Sequence, residues 1–244
     1  MKSLLCSCAL MLVFLLSGVV LAKEKEKEIA AQNVDSGSFG VFIKGQRVGT
    51  ETFSISQNAN GSTIHSEFKA QGDAGQAVQN SDLQLTGTGD IRRYEWKEIS
   101  PGKARSVVIP NEQFLTQRWS TGPEDKGQDQ PYILPVGTSI LDDYFFVHRE
   151  VLAWKYLGGA CTREKDGLRC PKTQFGTMNP RQHSSASASI EYLGKDKIKI
   201  HDNEQELNKL ALKTESGDWL IWLDDNFKMV KISIPSETTE VTRD

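Results

Sequence analysis

Along most of this chain apolar and polar residues alternate with a period of two, the signature of strands with one buried face. The first such run is Phe39–Ile43, and Lys44–Arg47 turns it back into Val48–Ser56. In that second run Glu51, Phe53 and Ile55 share one face and Thr50, Thr52 and Ser54 the other. Asn58–Gly61 carries residues that tolerate left-handed backbone, so it predicts a second hairpin into Thr63–Gln71, with Ile64, Ser66, Phe68 and Ala70 together. Gln79–Gly87, Ile91–Ile99, Ala104–Ile109 and Glu112–Ser120 continue the series. Ser185–Leu193, Lys197–His201, Leu207–Thr214, Trp219–Leu223 and Lys228–Ile234 resume it. Pro235 then ends the last strand before a polar tail. About ten to thirteen strands joined by short turns argue for a meander or barrel and against βαβ units.

One long stretch breaks the alternation. In Ser139–Leu157, SILDDYFFVHREVLAWKYL, Ile140, Leu141, Tyr144, Phe145, His148, Val151, Leu152 and Lys155 recur at helical spacing. Thr138 or Ser139 is placed to cap a helix here. Asp142 and Asp143 then fall in its first turn, and Gly158-Gly159 supply a left-handed stop. Arg149, Glu150 and Ala153 are expected on the opposite, outer face. The pattern predicts a mainly β fold: a large curved antiparallel sheet, or incomplete barrel, with one central amphipathic α-helix at 139–157. A single β-rich domain at 38–244 is the simplest division. Two β domains divided by the Gly- and Pro-rich loop Thr121–Pro135 are the alternative.

The N-terminus adds a compartment. Lys2, the apolar run Leu4–Val20 and the small-residue site Val20-Leu21-Ala22 form a cleavable signal peptide over residues 1–22, with an uncleaved anchor as the rival reading. Cys6 and Cys8 leave with it. A charged linker at 23–37 follows, opening with the alternating run Lys23–Glu28. A periplasmic or secreted chain keeps two cysteines, Cys161 and Cys170, around an eight-residue loop containing Asp166-Gly167. In an oxidising compartment this pair is a disulfide staple, since the wide spacing does not suit a metal or redox pair.

Composition excludes more than it assigns. A net charge of −3 and a pI near 5.9 argue against nucleic acid as a partner. His65, His148, His183 and His201 have no chelating spacing, so no metal is expected. No nucleophile elbow or phosphate loop occurs, and no cofactor is expected. The adjacent acids Asp142-Asp143 and Asp224-Asp225 suit a helix start and a turn. These negatives predict a non-enzymatic protein, although a hydrolase built from distant residues such as Asp143, His148 and Arg149 is a further alternative.

His148 is the polar group of most interest, because it falls on the apolar helix face. It is either a hydrogen-bond donor to a cavity or a satisfied core histidine. The aromatic residues Tyr144, Phe145, Phe146, Trp154 and Tyr156 either line a pocket or fill a core. Tyr144, His148 and Trp154 are the candidate ligand-binding residues.

Three segments carry a resemblance: the hairpin VFIKGQRVGTETFSI, the central LDDYFFVHREVLAWKYL and the closing WLIWLDDNFKMVKISIP. In the last, Trp222-Leu223-Asp224 through Val230-Lys231-Ile232 forms the closing hairpin. Together with the signal peptide they resemble an uncharacterised family of exported bacterial proteins made of one domain of unknown function. The layout is more distantly similar to periplasmic lipoprotein carriers, whose curved sheet holds acyl chains against helices. That resemblance implies a binding or carrier role for an apolar small molecule or lipid. A structural module contacting an envelope protein is the other expectation. Oligomeric state is left open.

Overall fold

The computed structural model describes residues 31–244, apart from 73–75, 113, 136, 166, 201 and 216. The expected signal peptide, with Cys6 and Cys8, and the Lys23–Glu28 run lie outside the described residues.

Among the described residues the chain is mainly β, with one large sheet and one α-helix. The strands are β1 (Gln32–Ile43), β2 (Gln46–Asn58), β3 (Gly61–Ala70), β4 (Val78–Thr86), β5 (Ile91–Ser100), β6 (Arg105–Asn111), β7 (Phe114–Ser120), β8 (Gln128–Tyr132) and the two-residue β9 (Ser139–Ile140). The helix α1 (Val147–Ala160) follows. Then come β10 (Thr162–Glu164), β11 (Gly167–Arg169), β12 (Thr173–Asn179), β13 (Ser184–Ile200), β14 (Asn203–Thr214), β15 (Gly217–Leu223), β16 (Met229–Ile234) and β17 (Thr239–Arg243). Fifteen strands form one sheet in the order β8-β7-β6-β5-β4-β3-β2-β1-β17-β16-β15-β14-β13-β12-β9, and β10-β11 pair separately. All neighbours are antiparallel except β9 and β12, and the sheet is not closed into a barrel.

Both halves of the chain join at the centre of this sheet, where β1 pairs β17 from Phe39↔Arg243 to Ile43↔Thr239. Strands far apart in the sheet order also meet across its open side. Gln117 Nε2 on β7 donates to the Pro180 carbonyl in the β12–β13 turn at 2.5 Å, and Trp119 stacks near His183 at 4.2 Å. The Arg181 guanidinium of that turn lies 4.2 Å from the Trp96 ring on β5. Such contacts require the sheet to bend. The expected faces of β2 and β3 hold: Phe53, Ile55, Ile64 and Phe68 join α1 and β13–β17 in one core.

Several boundaries differ from the sequence expectation. The linker does not extend to Gly37, because β1 already begins at Gln32 and buries Asp35 against Arg243. The polar tail is β17, and its buried Thr239 and Val241 complete the central seam. The Thr121–Pro135 loop contains β8, and the polar stretch after Gly176 completes β12.

The helix is shorter and shifted. Ser139 and Ile140 pair with Thr177 and Met178 of β12, and the Leu141 N–H extends this by bonding the Met178 carbonyl. Asp142 Oδ1 then accepts the Tyr144 N–H at 3.0 Å, a local bond that competes with helix formation. Neither Thr138 nor Ser139 caps α1, and Asp142 and Asp143 lie outside its first turn. Gly158 and Gly159 do not stop it with a left-handed residue, since it runs to Ala160 and leaves through extended Cys161. Nor is α1 simply amphipathic: Arg149, Glu150 and Ala153, expected outside, are buried beside His148 and Leu152. Among the described residues no helix is long and apolar enough to cross a membrane.

Candidate functional site

α1 begins inside the protein, so its N-terminal amides need partners that water cannot supply. Glu51, across on β2, provides them. Its Oε2 accepts the Phe146 N–H at 2.7 Å and the Val147 N–H at 3.3 Å, while Oε1 accepts the Ser66 hydroxyl at 2.7 Å. Burial drives the Glu51 carboxyl up to about 7, against the pull of these donors and of Arg149. The negative group expected at the helix start therefore arrives from a strand.

Asp142 forms a second buried node. Its Oδ2 accepts the Tyr94 hydroxyl at 2.7 Å and its Oδ1 accepts Arg181 Nε at 2.6 Å. Arg149 donates through Nη1 to the carbonyls of Asp142 and Phe145, with its guanidinium 4.5 Å from the Trp219 ring. Asp143, next in sequence, faces outward to Asn179 and Gln182. A third node joins Asp35, Glu150, Lys228 and Arg243. Arg243 Nη2 bonds Asp35 Oδ2 at 2.7 Å and reaches Glu150 Oε2 at 3.3 Å, and Lys228 Nζ meets Asp35 Oδ1 at 2.9 Å. Burial raises Glu150 to about 9, and its hydrogen bond to Asp35 adds to the shift, so it is the protonated partner at neutral pH. Burial also pushes Asp35 up, but the bonds from Arg243, Lys228 and Glu150 outweigh it and hold its carboxyl below the usual range.

Beside these nodes a cavity of about 720 Å³ runs along α1 toward β2, β3 and β4. Its inner wall is Ile55, Ile64, Leu83, Ile140 and Leu152, all buried. Its rim is polar and small: Gln57, Thr88 and Gly87 from the strand ends, and Gly158 and Gly159 from the end of α1. Lys155 Nζ closes one side by donating to the carbonyls of Gly137 at 2.6 Å and Gly89 at 3.2 Å. Burial depresses its ammonium below the ordinary lysine value.

Two of the three candidate residues line this cavity. His148 is 1% exposed and packs edge-on to Tyr94 at 5.5 Å. Burial pushes its ring down to about 3, so it is neutral. Trp154 lines the cavity and donates its indole N–H to the Phe227 carbonyl at 2.6 Å. Tyr144 does not line it: 41% exposed, it packs against Phe68 and under Arg181. The tyrosine was placed by a helical spacing that the Asp142 turn breaks. Sequence reading put Lys155 on the helix face of His148 without singling it out as a lining group, and it missed Thr138, which arrives beside β9 where that strand pairs with β12.

His148 lines the large cavity, whereas Asp143 and Arg149 line a separate polar pocket of about 110 Å³ with Gln182 and Ser185. Among the described residues no cluster of three or more His, Cys, Asp or Glu is arranged to hold a metal. His65 bonds Asp82 at 2.8 Å on the surface, and His201 lies outside the described residues. Cys161 and Cys170 are disulfide-bonded at the base of the β10–β11 hairpin, as expected, which is compatible with an extracellular or periplasmic protein. No protein-family model, no curated protein and no solved structure matches this chain.

Proposed function

We propose that this is an exported, non-enzymatic binding or carrier module, whose apolar ligand occupies the cavity between α1 and strands β2–β4. The observation that carries the reading is the cavity itself. Its volume of about 720 Å³ lies within the range of small-molecule sites, about 300–1,000 Å³. Its inner wall is aliphatic, its rim is polar, and it is bounded by a helix whose start is held by Glu51 of β2. In this reading the bent sheet is an incomplete barrel around α1, and export places it in the periplasm or outside the cell. The resemblance to lipoprotein carriers belongs to the same proposal.

The test is organic extraction and mass spectrometry of protein purified from its native envelope fraction, paired with titration of a fluorescent apolar probe. A stoichiometric lipid, or saturable uptake of 1-aminoanthracene blocked by Leu83→Trp, is the expected result. Protein that yields no apolar molecule and takes up no probe overturns the proposal.

The second reading is an envelope interaction module. It is favoured by Ile133, 88% exposed just after β8 at one edge of the sheet. Ile133→Asp would weaken partner capture in that case and leave probe uptake unchanged.

A further inference from the structure

The large cavity carries one formal charge, and its place on α1 says which end of a ligand it receives. Lys155 is the cationic residue of the lining, and no Asp or Glu joins it there among the described residues. Its ammonium has three N–H donors. The Gly137 carbonyl takes one at 2.6 Å and the Gly89 carbonyl another at 3.2 Å, and among the described residues nothing takes the third. Asp90 attracts the ammonium only from beyond hydrogen-bond reach, and its own carboxylate accepts the Thr88 hydroxyl at 2.8 Å. Burial outweighs that attraction and depresses the ammonium, so the site is short of negative charge.

The helix fixes the order of groups along the lining. Val151 and Leu152 precede Lys155 by about one turn, and Gly158 and Gly159 follow it by about one turn, all on the same face of α1. The cation therefore sits about 5 Å inside the glycine rim, with aliphatic side chains about 5 Å further in. A Cβ at Gly158 or Gly159 would meet nothing within 4 Å, so the rim is open there. The deeper polar atoms do not compete for a ligand. His148 Nε2, Thr138 Oγ1, Arg149 Nε and Arg181 Nη2 lack partners among the described residues, but each is fully enclosed, and neither arginine lines the cavity. Lys155 is only partly buried. An anion meeting it gains a charge-assisted hydrogen bond, which favours an anionic head over a neutral one by about tenfold.

Building on the carrier reading, we infer that the ligand is an amphiphile with an acyl or alkyl chain and an anionic head, a carboxylate or a phosphate. A head oxygen accepts the third N–H of Lys155 just beneath the glycine rim. The chain runs inward past Val151 and Leu152 to the wall of Ile64 and Leu83.

The experiment displaces 1-aminoanthracene from the purified protein with hexadecanoate, hexadecyl phosphate and methyl hexadecanoate, each delivered from cyclodextrin. At least one of the two anions is expected to displace at about one tenth the concentration of the ester, and the stronger of them identifies the head. Lys155→Met should erase that advantage without weakening the ester, and Lys155→Arg should keep it. Gly159→Glu places an acid four residues after Lys155, at an exposed helical position with room for a side chain. It should erase the same advantage, and it decides the matter if Lys155→Met does not fold. Equal displacement by all three probes in the unaltered protein overturns the inference while leaving the carrier reading standing. So does an anion advantage that survives Lys155→Met or Gly159→Glu. If 1-aminoanthracene does not bind at all, the carrier reading itself fails, and this inference with it.

Discussion

Glu51 and Phe146, 95 residues apart, are joined by a 2.7 Å hydrogen bond from the Phe146 backbone N–H to the Glu51 carboxylate. Since Val147 and Ser66 donate to the same carboxylate, one strand residue satisfies the start of the only α-helix among the described residues. Glu51→Ala strands three buried donors and should destabilise the protein by about 2–4 kcal/mol in urea titration. Glu51→Gln keeps an acceptor and should lose less than half as much.

The buried acids set an acid-shifted stability profile. Glu51 and Glu150 titrate near 7 and near 9 in the folded chain against an ordinary 4.5, so the folded state binds more protons than the unfolded one as pH rises. Stability from these two is complete below pH 4.5 and is lost as pH climbs through 7 and then 9. His148, lowered from 6.5 to about 3, has the opposite sign and weakens the fold as pH falls through that window. The sum predicts a melting temperature that peaks near pH 4.5 and declines to pH 9. Glu150→Gln should remove the decline between pH 7 and pH 9, and a profile unchanged by it would contradict the assignment.

Arg243 ties the last strand to Asp35 on the first and to Glu150 on the helix. Arg243→Ala leaves Asp35 short of its main partner and should cost about 3–5 kcal/mol. Adding Asp35→Asn removes the buried charge and should recover part of that loss, which a double-mutant cycle measures directly.

The disulfide closes a short loop between residues nine apart. Replacing both cysteines by serine should lower stability by about 2–3 kcal/mol through loop entropy. It should leave probe uptake intact, because neither cysteine lines the cavity.

Much of the sheet was legible because strands such as β2 and β3 bury one face and leave the other in water. Glu51, Phe53 and Ile55 announce themselves by alternation even though one of them is a carboxylate. What escaped were segments whose structure depends on distant partners. β17 reads as polar tail because its place in the sheet comes from pairing with β1, and Asp35 reads as linker because Arg243 is at the far end of the chain. The helix start was misplaced for the same reason: its cap is on β2, and Asp142 is committed to Tyr94 and Arg181. Of the site, His148 and Trp154 were recognisable from an aromatic helix. Lys155 shared the helix face of His148 in the sequence pattern but its charge hid its place on the lining, and nothing local marks Thr138 as a neighbour of a cavity.

The seam between β1 and β17 bears on how the chain is assembled. Asp35 and Arg243 are 208 residues apart, and closing so long a loop costs about 5 kcal/mol of chain entropy before any contact rewards it. The hairpins β1–β8 and β12–β17 are local and can form while the chain is still emerging. Each half then waits with a bare strand edge at what will become the middle of the molecule. A nascent chain is thus exposed to pairing with its neighbours until β17 has been made, and refolding yield should fall with protein concentration.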